Sequence, residues 1–232
     1  MIVGYVLDHI IPPILREFRF FMYLVLLLPY GRKTKLVLDF KEKFPFMTDV
    51  EITEYYNQLK TVPLNKRNTD LNKKSLAWIL ENISTMTGTV LDAACGKGYL
   101  LSKIIESNPN LQCHGVDFAP PDEICRYVDG RLFFDIKIAD IAELPFEDHS
   151  FDVVLCTHAL EHVRNPKKAL DELIRVTRQR LIVVVPRQRE YRYTGDLHVN
   201  FFPYMYSFKR FVGLENAMYL DIKGDLICCM DF

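Results

Sequence analysis

The sequence predicts an α/β fold: a mostly parallel sheet of seven strands with helices on both faces, closed by an antiparallel hairpin. Three observations predict it. From residue 89 onward, short apolar runs alternate with helical patterns. Two of those runs, FDVVLC (151–156) and LIVVVP (181–186), are apolar nearly throughout, as parallel strands buried on both faces must be. Near the end, AMYLDI (217–222) and DLICCM (225–230) flank Lys223-Gly224, which reads as a two-residue hairpin turn.

The elements follow in order. Residues 1–70 read as a helical N-terminal extension, interrupted at Pro12-Pro13, Pro29, Pro45 and Pro63. Residues 71–232 read as the domain proper. Leu71, Leu76, Ile79, Leu80 and Ile83 share one helical face over 71–86, with Gly88 as the stop. TVLDA (89–93) is the first strand, QCHGVD (112–117) the second and FFDIKIAD (133–140) the third. Helical patterns at 98–107, 122–129 and 166–178 fill the crossovers, which should be right-handed.

Composition limits the function. Lys plus Arg total 29 and Asp plus Glu 30, a net charge of -1. A chain whose main partner is nucleic acid carries a basic excess, so no such partner is expected. The six cysteines, Cys95, Cys113, Cys125, Cys156, Cys228 and Cys229, form no C-x-x-C pair and no zinc spacing. They read as reduced, buried thiols of a cytoplasmic protein without a metal site. FFMYLVLLLPY (20–30) carries no charge but is too short to span a bilayer, which takes about 20 residues. Asp8 and Glu17 before it and Gly31-Arg32-Lys33 after it do not suit a signal peptide. Two readings stand. The segment packs on the domain or on a second copy in a homodimer. Alternatively, residues 14–30 lie in a membrane surface, helped by Arg16, Arg19, Arg32, Lys33 and Lys35.

The chemistry centres on VLDAACGKGYL (90–100), a glycine loop between the first strand and the next helix. Open α/β sheets bind ligands at that end of the strands. A dinucleotide fingerprint needs Gly or Ala where Leu101 stands, and the P-loop spacing fails at Gly98. Asp92, Asp117 and Asp140 instead fall at the ends of three successive strands. An acid before the loop repels phosphate and suits a cation; one after the second strand can accept both ribose hydroxyls. Three such acids describe a pocket for a nucleoside carrying positive charge.

VLDAACGKGYL resembles the first motif of class I S-adenosylmethionine-dependent methyltransferases, which have a Rossmann-like sheet. GVDFA, IADIAELPFEDHSFDVVLCTHALEHVRNPKKAL and GDLHVNFF resemble later stretches of that family, over roughly residues 75–232. Ala94 departs from the pattern, standing where the family's first glycine commonly sits. The resemblance implies S-adenosyl-L-methionine as cofactor. It implies that Asp92, Ala94, Cys95, Gly96 and Gly98 hold the methionine moiety. Asp117 would bind the ribose beside Phe118, and Asp140 the adenine amine beside Ile141. Thr157 and His158 would lie near the sulfonium. The leading segment, with Tyr55, Tyr56, Arg67 and Asp70, would cover the cofactor.

The expected reaction is methyl transfer to a small-molecule or glycan acceptor, at oxygen. His158 and His198 are the candidate bases, since an imidazole with a pKa near ~6.5 accepts a proton at cellular pH. His162, in ALEHV, reads as structural. Arg187, Arg189 and Arg192 suit bidentate recognition of an anionic acceptor such as a sugar phosphate or lipid-linked glycan. The alternatives are a non-catalytic cofactor-binding protein and a methyltransferase acting on a lipid-linked substrate at the membrane surface.

Overall fold

The computed structural model describes residues 11–59, 68–119, 127–128, 131–132, 134–193 and 195–232. The chain divides into two compact units, one of 1–67 with 189–199, the other of 68–188 with 200–232. Cys125 and Arg67 lie outside the described residues.

The first unit is helical: α1 (Pro13–Arg16), α2 (Arg19–Tyr30), α3 (Thr34–Lys43) and α4 (Asp49–Leu59). Pro29 does not interrupt α2. It sits in the last turn, and the helix ends one residue later at Gly31, where φ is 54°. Met22, Leu26 and Tyr30 recur every four residues and bury one face of α2. Phe40 of α3 packs its ring 4.9 Å from Tyr55 and 5.2 Å from Phe44. Tyr55 is thus a core residue, its hydroxyl donating to the Leu36 carbonyl. Arg16 is buried with its guanidinium 3.3 Å above the Tyr191 ring, a desolvated cation–π contact. Tyr30 donates to the Gly195 carbonyl, and a β carbon on Gly195 would come 3.2 Å from Leu26. Glycine is what lets these two segments approach so closely.

The second unit is the sheet domain. Its helices are α5 (Lys73–Asn82), α6 (Tyr99–Ser107), α7 (Pro166–Val176) and α8 (Met205–Val212). Its main strands are β1 (Gly88–Ala93), β2 (Leu111–Asp117), β5 (Phe134–Ile138), β6 (Phe151–Thr157), β7 (Thr177–Pro186), β8 (Met218–Ile222) and β9 (Asp225–Asp231). They form one seven-stranded sheet in the order β5-β2-β1-β6-β7-β9-β8. All neighbours are parallel up to β7; β9 runs antiparallel to both β7 and β8. This is the expected sheet. Lys223 and Gly224 have φ of 53° and 93°, the paired left-handed turn that a two-residue hairpin requires.

Burial alternates along the strands. Leu91, Ala93, Val154, Cys156, Leu181, Val183, Leu226 and Cys228 join one core with Leu170 and Leu173 of α7 and Phe208 of α8. Val90, Val153, Leu155, Ile182, Val184 and Ile227 join the other with Ile79 of α5 and Leu101 and Ile104 of α6. Both faces are covered, which is why these strands read as unbroken apolar runs.

Two sequence expectations need correction. The α5 pattern does not run to Gly88; Gly88 opens β1 at φ 96°, where a β carbon would strike the Asp152 carboxylate at 2.1 Å. The segment expected as a helix over 122–129 lies outside the described residues up to 126. Beyond that, β3 (Tyr127–Val128) pairs antiparallel with β4 (Arg131–Leu132). ALEHV forms a turn, with the His162 amide donating to the Ala159 carbonyl at 2.9 Å.

Candidate active site

β1 hands the chain to α6 through residues 94–98. Three of these five residues hold positive φ: Ala94 at 67°, Gly96 at 51° and Gly98 at 74°. Backbone bonds fix the turn, Cys95 N–H to the Val116 carbonyl at 2.9 Å and Gly98 N–H to the Cys95 carbonyl at 2.8 Å. The Gly96 amide donates to Asp117 Oδ2 at 2.8 Å, so the acid at the end of β2 grips the loop at the end of β1. Among the described residues, a β carbon on Gly96 would meet no atom within 4 Å. The loop therefore borders open space.

Asp92, next to last in β1, is 2% exposed. Its Oδ1 has no hydrogen-bond partner among the described residues. Burial, and then the charge of Asp117, push its carboxyl up to about 8. A buried acid with an unfilled acceptor atom beside an open glycine loop is a seat for a cation or a donor, and it opposes phosphate. That fits S-adenosylmethionine, which carries both a sulfonium and an ammonium.

Leu101 does not crowd helix against strand. The glycine that permits close packing lies on the strand instead. A β carbon on Gly115 would come 2.8 Å from Cys95 Sγ and 3.2 Å from Leu101 Cδ1. The remaining cofactor candidates sit at the carboxyl edge of the sheet. Phe118 and Thr157 are half-buried there, and Ile141 is buried in the core. Asp140 does not end β5. It lies two residues beyond, exposed, with Oδ1 accepting the Ala142 amide at 2.8 Å.

His158 follows β6 with φ of 52°, its amide donating to the Val184 carbonyl at 2.9 Å. Its ring is clamped. Nε2 lies 3.2 Å from Asp225 Oδ1, and Nδ1 lies 3.4 Å from an oxygen of the fully buried Glu161. Burial alone would lower its pKa, but the two carboxylates outweigh burial and raise it to about 10. Both carboxylates favour the protonated ring, and an imidazolium has no lone pair with which to accept a proton. Asp225 Oδ2 in turn accepts from Asn72 Nδ2 at 2.7 Å. Asn72 also caps α5, its Oδ1 accepting the Lys74 and Ser75 amides. Asn200, from the HVNFF motif, donates through Nδ2 to the carbonyls of Leu160 and Val163 and pins the ALEHV turn. Asp225, Glu161, Asn72 and Asn200 were not singled out from the sequence.

His198 lies in the first unit, with Nδ1 3.5 Å from Asp196. Arg187 belongs to the second unit and pairs with Asp221 at 2.7 Å. Arg192 belongs to the first and pairs with Glu42 at 3.0 Å; Arg189, also in the first, is exposed. Two of the three charges are already matched by carboxylates.

A family profile described as "Methyltransferase domain" matches residues 91–185, from β1 to β7. Over those residues the chain is similar to class I S-adenosylmethionine-dependent methyltransferases. S-Adenosylmethionine is the cofactor of that family. A norajmaline N-methyltransferase of Rauvolfia serpentina is 29% identical over 105 residues, 42% of this chain and 35% of the relative. A demethylmenaquinone methyltransferase of Porphyromonas gingivalis is 38% identical over 98 residues, 38% of either chain. The chain thus spans little more than a third of the length of these curated relatives. Among solved structures, the domain is similar to 1,6-didemethyltoxoflavin-N1-methyltransferase of Burkholderia thailandensis, solved with 1,6-didemethyltoxoflavin and S-adenosylhomocysteine. The TM-score is 0.62 at 14% identity, covering 82% of this chain and 89% of that one. That likeness is one of fold.

Ala94 tests the loop of this methyltransferase domain. A non-glycine residue in the left-handed region costs roughly 1–2 kcal/mol. Glycine removes that cost and forfeits about 0.4–1 kcal/mol through the unfolded chain. Ala94→Gly is expected to stabilise the protein by up to about 1 kcal/mol in urea denaturation.

Proposed function

We propose that this chain binds S-adenosylmethionine and transfers its methyl group to a small-molecule acceptor. The observation that carries the reading is Asp92: a buried carboxylate oxygen without a partner, beside a glycine loop that opens on free space. Bound there, the cofactor supplies a methyl carbon on sulfonium sulfur that an acceptor lone pair can take in line, leaving a neutral thioether. The chain's own residues bind and align. Asp92 faces the cationic end. Asp117 orders the loop through Gly96 N–H and keeps acceptor capacity for ribose hydroxyls. Alignment of the reactants is itself a large catalytic term.

The acceptor is set by chemistry the pocket must still reveal. The relatives named above act on norajmaline and demethylmenaquinone, so an acceptor screen should span amines, hydroxyl compounds and quinones. For transfer to oxygen a base must take the hydroxyl proton, and the carboxylates that favour a protonated His158 argue against it in that role. We assign it to holding the protein around the site.

The test is calorimetric titration with S-adenosylmethionine, S-adenosylhomocysteine and NADH, on wild type and Asp117→Ala. The first two should bind and NADH should not. Loss of a hydrogen-bonded carboxylate should weaken both by roughly tenfold to a hundredfold. NADH binding in preference to the other two would overturn the reading.

A further inference from the structure

α2 is apolar on both faces. Met22, Leu26 and Tyr30 are buried. Phe20, Tyr23, Leu24, Leu27 and Leu28 fall at i, i+3, i+4, i+7 and i+8, so they form one opposite stripe, and all five are exposed. Leu28 is 89% exposed and Phe20 76%. Ile14, Leu15 and Phe18 extend the exposed apolar surface toward the N-terminal side. Eight of the fifteen exposed large apolar residues among the described residues lie within 14–28. A contiguous patch of this kind marks an interaction surface, and a helix apolar all round is ordinarily buried.

We propose that this stripe docks on an anionic lipid surface, with α2 lying in the plane of the interface. Charge selects the occupant. Residues 14–35 hold five basic residues against one acid, Glu17, in a chain of net charge -1; Arg16 is buried over Tyr191, Arg19 pairs with Asp39 and Lys33 donates to the Gln58 carbonyl, so Arg32 and Lys35 carry the argument. Arg19 stands at the first residue of α2, and Arg32 and Lys35 follow its end; all three are exposed. Exposed cations at the end of an apolar helical face match the headgroup layer of an anionic leaflet. The helix lies on the membrane and does not cross it. Its twelve residues reach about 18 Å against a hydrocarbon core of roughly 30 Å. No helix among the described residues is long and apolar enough to cross a membrane.

The test is co-sedimentation with vesicles of phosphatidylcholine alone and of phosphatidylcholine mixed with phosphatidylglycerol. It uses wild type, Phe20→Ser/Leu24→Ser/Leu28→Ser and Arg32→Gln/Lys35→Gln. All five substituted positions are exposed, so both variants should keep the wild-type urea midpoint. Wild type should pellet with the anionic vesicles and be released by salt. The serine variant should bind at least about a hundredfold more weakly, having lost three apolar anchors. The glutamine variant should bind roughly thirtyfold more weakly, at about 1 kcal/mol per cation. Wild type left in the supernatant with both vesicle types would overturn the proposal. So would a serine variant that pellets like wild type. A light-scattering mass of two chains that falls to one in the serine variant would assign the face to a second copy and overturn it as well. None of these readouts depends on methyl transfer.

Discussion

Asp92→Asn should make the protein more stable and bind S-adenosylmethionine more weakly. The carboxyl is buried at the end of β1, and its pKa stands at about 8 against an ordinary 3.8. The folded state therefore holds this proton to higher pH than the unfolded state does. Its contribution to stability is complete below pH 3.8 and declines as pH rises toward 8. At neutral pH an amide escapes that decline, and Tm should rise by several degrees, at ~2–4 °C per kcal/mol. The cation seat is lost in exchange. Losing a buried charge partner should weaken S-adenosylmethionine by roughly thirtyfold to a hundredfold. The same linkage predicts that wild-type affinity rises with pH, by up to about tenfold per unit below pH 8. A cationic ligand favours the ionised acid, so binding at neutral pH should release close to one proton. Calorimetry in two buffers of different ionisation enthalpy measures that proton directly. Asp92→Asn should show none of it. Equal affinity in the variant, with no buffer dependence in either protein, would remove Asp92 from the site.

Much of this arrangement was legible in the sequence because the signals are local. The runs that became β1, β2, β6 and β7 are apolar on both faces, so their strand character needed no long-range information. Lys223-Gly224 announced the hairpin by turn chemistry alone, and the spacing of Asp92, Gly96, Gly98 and Asp117 placed the loop. What escaped was three-dimensional. Gly115 looks like an ordinary strand residue until Leu101 and Cys95 pack against it. Gly88 reads as a helix stop, because the Asp152 carboxylate that occupies its β-carbon space is far away in sequence. His158 reads as a free imidazole beside the reacting centre, because its partner Asp225 is 67 residues distant. Residues 189–199 give no sign in sequence that they pack with the N-terminal helices, as Tyr191 and Gly195 do with Arg16 and Tyr30.

His158→Ala should destabilise the protein by about 3–5 kcal/mol, the cost of leaving buried carboxylates without their cation. Asp225 and Glu161 are both buried, and His158 is the positive charge between them. Asn72 carries the network on to the start of α5, so the end of β6, the hairpin strand β9 and that helix share one set of contacts. The sign of the pH effect is opposite in origin to that of Asp92 yet equal in direction. The folded pKa of about 10 exceeds the ordinary 6.5, so the stabilisation is fully present below pH 6.5 and is lost as pH rises through 10. The two groups are separable because their windows end at different pH. Urea denaturation from pH 6 to 10 should show wild-type stability falling throughout. In Asp92→Asn the fall below pH 8 should shrink, and in His158→Ala the fall between pH 8 and 10 should shrink to what the buried cysteines contribute. A further variant tells uncompensated charge from lost packing. His158→Leu combined with Asp225→Asn and Glu161→Gln removes all three charges while keeping volume, and should recover most of the loss, as neutral replacement of buried ion clusters does elsewhere. If His158→Ala costs under about 1 kcal/mol, or if the neutral triple variant is no better than the single one, the imidazolium is not what holds this end of the sheet together.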